Sequence, residues 1–144
     1  MRKTIAIFLL FLVIGCKMAS ETINVDVNKG TPLNLKIEAV KESKSVVTVT
    51  AIVTTSVDTQ SLNLKVLLPK EVEIVGADPD LSGVKVVSGN TFKNSFKVSA
   101  KGDEFATIII SAAEMNGTSI LFGDTEVLTF YVSEGKIYLS PEEE

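Results

Sequence analysis

The sequence predicts an all-β protein: a two-sheet antiparallel β-sandwich of about nine strands behind an N-terminal signal peptide. Three observations carry this. Apolar residues recur at every second position through most of the chain, the pattern of half-buried strands. Turn-forming clusters interrupt them at short, regular spacing, as in a sandwich or barrel. No stretch alternates strand pattern with helical pattern, which disfavours a parallel α/β architecture. Short strands with one apolar face each bury those faces only by packing sheet against sheet.

In chain order, Ile23, Val25 and Val27 open the alternation. Leu33, Leu35, Ile37 and Ala39 continue it, followed by Val47, Val49, Ala51 and Val53, and then by Leu62, Leu64, Val66 and Leu68. The clusters NKGTP (28–32), KESKS (41–45) and SVDTQS (56–61) separate them as turns. Pro69 ends the fourth run because it has no N–H for a ladder, and 72–75 forms a short strand before Gly76. ADPDLSG (77–83) reads as a loop. Residues 84–87 and 91–100 read as strands joined by the turn SGN, a predicted hairpin, with Phe92, Phe96 and Val98 on one face.

FATIIISAA (105–113) also satisfies helical spacing through Phe105, Ile108, Ile109 and Ala112. Its β-branched run Thr107 to Ile110 favours a strand, and alternation places Ala106, Ile108, Ile110 and Ala112 on one apolar face. EMNGTS (114–119) reads as a loop, and VLTFYV (127–132) and KIYL (136–139) as the last strands. The domain is expected to span 23–140, with PEEE at 141–144 a disordered acidic tail.

The N-terminus carries an address. Arg2 and Lys3 precede the apolar run TIAIFLLFLVI (4–14), which has the length of a signal-peptide core and falls short of the roughly 20 residues a membrane-spanning helix needs. Val13-Ile14-Gly15-Cys16 resembles the lipobox of bacterial lipoproteins. That resemblance implies cleavage after residue 15, a diacylglyceryl group on Cys16, a lipidated tether over 16–22, and export to the cell envelope as a membrane-anchored protein. Lys17 follows the cysteine where aspartate would favour inner-membrane retention, so the outer membrane is the expected site in a host that has one. Stable anchoring takes more than one acyl chain, which this modification supplies.

With Cys16 capped, no thiol remains for a disulfide, a redox pair or a metal site. Removing residues 1–15 leaves 12 basic against 18 acidic residues, a net of −6, with no histidine to alter it. An acidic body opposes nucleic-acid binding and electrostatic attachment to anionic lipid. The membrane partner is therefore reached through the lipid on Cys16.

The segments TVTAIVTTSVDTQSLNLKVLLPKEVEIVGAD (48–78) and FATIIISAAEMNGTSILFGDTEVLTFYV (105–132) together resemble a bacterial cohesin-like or immunoglobulin-like domain. The likeness lies in a proline corner at Leu68-Pro69 before the strand 72–75, and in a glycine turn at Gly123-Asp124 before Leu128, Phe130 and Val132. It implies the sandwich fold. Cohesins carry Tyr-Asp-Pro where this chain has Leu67-Leu68-Pro69, so dockerin binding is not implied.

Histidine and tryptophan are absent, which removes the commonest general base and the strongest sugar-stacking ring. The paired carboxylates Asp78/Asp80, Asp103/Glu104 and Asp124/Glu126 could do acid–base work, but all sit in predicted turns, where aspartate bonds to local amides. No EF-hand spacing, dense aspartate repeat or glycine-rich phosphate loop occurs, so no metal, cofactor or enzymatic activity is expected. Two classes remain. One is a non-catalytic envelope module for protein–protein interaction or assembly. The other is a carbohydrate-binding or carbohydrate-processing accessory lipoprotein using Tyr131 or Tyr138 with a turn carboxylate. For the first class the expected docking face is the second face of strand 46–54, Thr48, Thr50, Ile52 and Thr54. Asn63 and Lys65 are placed beside it by the following strand, with Ser61 and Leu67. Such a face would be flat and low in charge, although threonine is also an ordinary solvent-facing strand residue.

Overall fold

Residues 31–139 are described by the computed structural model. The predicted signal peptide, Cys16, the tether, the strand at 23–27 and the acidic tail lie outside the described residues. Within them the chain forms nine strands: β1 (Leu33–Lys41), β2 (Val46–Thr55), β3 (Thr59–Leu67), β4 (Val72–Val75), β5 (Leu81–Val86), β6 (Thr91–Ala100), β7 (Phe105–Asn116), β8 (Ser119–Ser133) and β9 (Lys136–Tyr138). All pair antiparallel, in a four-stranded sheet of order β1-β2-β6-β4 and a five-stranded sheet of order β5-β3-β7-β8-β9. The fold is the predicted all-β sandwich.

Alternation explains the core. Leu33, Leu35, Val47, Val49, Ala51, Val53 and Val98 of one sheet, and Leu62, Leu64, Ala106, Ile108, Ile110, Ala112 and Val132 of the other, are almost wholly shielded from water. Each fully buried valine, leucine or isoleucine contributes roughly 1.5–3 kcal/mol. The helical reading of 105–113 fails because it would turn Ile110 and Ala106 away from the face that Ile108 and Ala112 share.

The predicted hairpin between 84–87 and 91–100 does not form. β5 pairs with β3, while β6 pairs with β2 and β4 in the opposite sheet. The turn at 87–90 crosses the sandwich instead, held by Gly89 N–H donating to Thr55 O (2.9 Å) and Asn90 N–H to Val87 O (3.0 Å). Gly89 has φ 81°, a conformation side chains resist. Crossing lets Val86 and Phe96 both bury, one from each sheet. Asn94 shares the inward parity of Phe92 and Phe96, and its Nδ2 donates to Pro79 O at 2.9 Å.

The expected loop 114–119 is mostly strand. β7 runs to Asn116 and β8 starts at Ser119, so these two form a long hairpin turning at Gly117-Thr118, with Gly117 at φ 61°. Glu114 continues the inward parity of Ala106 to Ala112 and is itself buried.

Candidate binding faces

The predicted docking face is only partly assembled. Thr48, Thr50, Ile52 and Thr54 do point away from the core. Their neighbours are β1 and β6, however, which set Val40 and Lys97 beside Thr48, Glu38 and Ser95 beside Thr50, and Lys36 and Lys93 beside Ile52. Asn63 and Lys65, with Ser61 and Leu67, are in the other sheet because the chain crosses the sandwich between β2 and β3. The face is therefore charged, where low charge was expected. It is also internally satisfied: Thr48 and Lys97 both donate to Glu42, and the Thr50 and Ser95 hydroxyls bond at 2.8 Å. The Lys97 hydrogen bond, and then that of Thr48, hold the Glu42 carboxyl below the usual carboxylate range.

Asn63 and Lys65 serve the β3–β5 connection. Asn63 Oδ1 accepts from Gly83 N–H (3.0 Å), and Lys65 Nζ donates to Asp80 (2.9 Å), which also accepts from Val66 N–H (2.8 Å). The Lys65 hydrogen bond leads in lowering the Asp80 pKa, followed by the Val66 amide, and Asp80 raises that of Lys65 in return.

The aspartates among the candidate carboxylates bind backbone. Asp78 accepts from Asp80 N–H, Asp103 from Glu134 N–H, and Asp124 from Leu35 N–H (2.8 Å) and Thr125 N–H (2.9 Å). Asp78 and Asp103 serve loops, but Gly123-Asp124, predicted as a turn, lies inside β8, from which Asp124 reaches the β1 edge. Among the described residues no group of three or more His, Cys, Asp or Glu side chains is placed to hold a metal ion.

A different face stands out, the outer surface of the five-stranded sheet. Register stacks its outward side chains in rows. Leu67, Ile109 and Val127 lie side by side on β3, β7 and β8; Leu67 is 64% and Val127 56% exposed. The next row is a pair of hydroxyls, Thr107 and Thr129, 3.1 Å apart. Beyond it Phe105, Tyr131 and Tyr138 form an aromatic row across β7, β8 and β9, with ring centroids 5.1 and 6.2 Å apart and Phe105 71% exposed. On the other side of the aliphatic row, Ser111 and Thr125 bond at 2.9 Å beside Lys65. The outward parity of each strand is legible in the sequence. The rows are not, because they arise from pairings between distant segments.

At the β9 edge the aromatic row meets lysines. Lys41, Lys44, Lys136 and Tyr138 line a cavity of about 250 Å³. Lys41 Nζ lies 5.1 Å from the centre of the Tyr138 ring, a cation–π distance. Ile137 N–H donates to Lys44 O at 2.7 Å, which fixes the β1–β2 loop against β9.

No protein-family model matches the chain, and no curated protein sequence matches it. Among solved structures it is similar to a FixG-related protein from Vibrio parahaemolyticus at 13% identity and TM-score 0.49, covering 73% of this chain and 99% of that one. It is also similar to the GAE domain of GGA2p from Saccharomyces cerevisiae at 14% identity and TM-score 0.50, covering 71% and 92%. The second likeness is one of fold alone, and the fold is a β-sandwich module.

Proposed function

We propose that this chain is a non-catalytic module of the bacterial cell envelope, tethered by lipid on Cys16, which docks a protein partner through the outer face of its five-stranded sheet. The observation that carries the docking face is the row Leu67–Ile109–Val127: two exposed aliphatic side chains flanking a half-buried one, aligned across three strands. Contiguous exposed apolar surface marks an interaction site. The opposite sheet, with its Glu42–Lys97 pair and alternating charges, offers less to desolvate favourably. The lipid anchor rests on the sequence Val13-Ile14-Gly15-Cys16.

Site-specific photo-crosslinking in the cells that make the protein tests the face. A crosslinker in place of Leu67 is expected to give an adduct of one defined protein mass, and one in place of Glu38 on the other sheet is not. Equal adducts from both positions would refute it. Mass spectrometry of the mature N-terminus tests the anchor; an unmodified start at any residue other than Cys16 removes it.

A second reading, a carbohydrate-binding accessory lipoprotein, is favoured by the aromatic row Phe105–Tyr131–Tyr138 on the same sheet.

A further inference from the structure

We propose that the aromatic row and the lysine cavity form one continuous site for an acidic polysaccharide, a chain of pyranose rings bearing carboxylates. This deepens the carbohydrate reading and rests on it. Crosslinking at Leu67 does not interrogate this site, so the docking reading and this one fail separately.

Three features converge. First, Phe105, Tyr131 and Tyr138 stand in line on an outward sheet face, with centroid spacings of 5.1 and 6.2 Å. That spacing is comparable with the repeat of an extended sugar chain, whose apolar ring faces stack on aromatic rings. Neighbouring rings are tilted by 51° and 36°, so the three rings do not share one plane. Second, the Thr107–Thr129 hydroxyl pair runs alongside and offers hydrogen bonds to sugar hydroxyls that hang off the stacked face. Third, the row ends at a cationic cavity of about 250 Å³ lined by Lys41, Lys44 and Lys136.

These three lysines stand out on a body whose net charge is −6 after cleavage. Two restraints hold them there: the Ile137–Lys44 backbone bond and the placement of Lys41 over Tyr138. Glu134 lies 3.6 Å from Lys136, an exposed pair of the kind that contributes little in water. Lysine ammonium groups neutralise carboxylates as point charges without imposing planar geometry, which suits a flexible acidic chain more than a single fixed ligand. A bare phosphate or lipid headgroup would use the lysines but leave the aromatic row without a role.

The test is biolayer interferometry with the full-length protein in detergent over three immobilised polymers: alginate as the acidic glycan, dextran as the neutral one and polyphosphate as the bare polyanion. Alginate is expected to bind most tightly. Tyr131→Ala and the double variant Lys44→Glu/Lys136→Glu are each expected to weaken it at least about tenfold, the equivalent of about 1.4 kcal/mol. Tyr131→Phe, which keeps the ring, should retain most of the binding, and circular dichroism checks that every variant keeps its β signature. Polyphosphate bound as tightly as alginate, with no loss in Tyr131→Ala, overturns the proposal in favour of a charge patch. Failure to bind alginate overturns it outright, as does a folded Tyr131→Ala variant that binds alginate normally.

Discussion

Removing the Glu114 carboxylate should destabilise the domain more than its place near the end of a strand suggests. Glu114 is buried, and its oxygens accept from Gln60 N–H at 2.8 Å and from Ser61 N–H at 3.2 Å. Those two amides belong to β3 where its pairing with β5 slips register between Thr59 and Leu62, so the carboxylate supplies acceptors that the irregular ladder does not. Hydrogen bonds to a charged acceptor are worth roughly 1.5–3 kcal/mol each, and a buried donor left unpaired costs about 1–3 kcal/mol. Both amides are only part-buried and water can reach the slip, so the lower half applies: about 2–4 kcal/mol for Glu114→Ala. Glu114→Gln keeps one carbonyl oxygen but turns an NH₂ toward the second amide, and about 1–2 kcal/mol is expected. Urea unfolding followed by circular dichroism measures both, with hydrogen exchange at Gln60 and Ser61 as the local readout. If Glu114→Ala stays within about 0.5 kcal/mol of wild type, the range of an indifferent surface change, the carboxylate does not hold the slip. Glutamine and alanine variants of equal stability would show that acceptor geometry is irrelevant.

Two further outcomes are expected. Gly123→Ala places a Cβ 2.8 Å from Ala112 O and 3.1 Å from Ala113 Cβ, so strand β8 must shift away from β7; a loss of about 1–3 kcal/mol in the same urea assay checks it. Asp80→Asn tests linkage. The Asp80 pKa is depressed in the folded state, so its pairing contributes stability that is present above the ordinary carboxylate range and is lost as pH falls through the lowered value. The asparagine variant should be less stable than wild type at neutral pH, with the gap closing on acidification in a series of thermal melts.

Local chemistry made most strands legible and little of their partnership. Most strands from Leu33 onward follow period two or a short apolar run, though the start of β5 and the first half of β8, 119–126, read as loop and turn; the inward set Ala106, Ile108, Ile110 and Ala112 is buried as alternation requires. Extending that parity by one step would have found Glu114. It reads as loop because a carboxylate beside Asn116-Gly117 resembles turn chemistry, and only the distant amides of Gln60 and Ser61 make its burial favourable. The missing hairpin fails in the same way. A short turn between two strands favours local pairing, yet β5 and β6 gain more by burying Val86 and Phe96 from opposite sheets. Alternation places Asn63 and Lys65 beside the Thr48–Thr54 row only if consecutive strands are neighbours, and the β2–β3 crossing breaks that premise.

How the sheets end bears on how the module recognises anything. An open edge strand is a template for pairing with a partner's strand, and among the described residues each of the four edge strands carries a feature that opposes it. β4 has four residues and β9 three. β9 also gives its Ile137 amide to the β1–β2 loop. β5 pairs with β3 through two register shifts and contains Gly83 at φ 71°, so it presents no regular ladder. The longest edge, β1, has its Leu35 amide taken by Asp124, which reaches across from β8 in the other sheet. Strand addition is thus opposed at each edge, and what the fold leaves accessible is side chains in register. On the four-stranded sheet Thr48, Thr50, Ser95 and Lys97 bond or pair around an exposed Val40, whereas on the five-stranded sheet Leu67, Val127 and Phe105 remain well exposed in rows of apolar side chains and hydroxyls, with the Lys65–Asp80 pair at the margin. Two faces of one sandwich, built from the same alternating pattern, are therefore chemically unequal, and the inequality comes from register: the pairings Leu67–Ile109–Val127 and Phe105–Tyr131–Tyr138 gather residues up to dozens of positions apart into the rows that a ligand would meet.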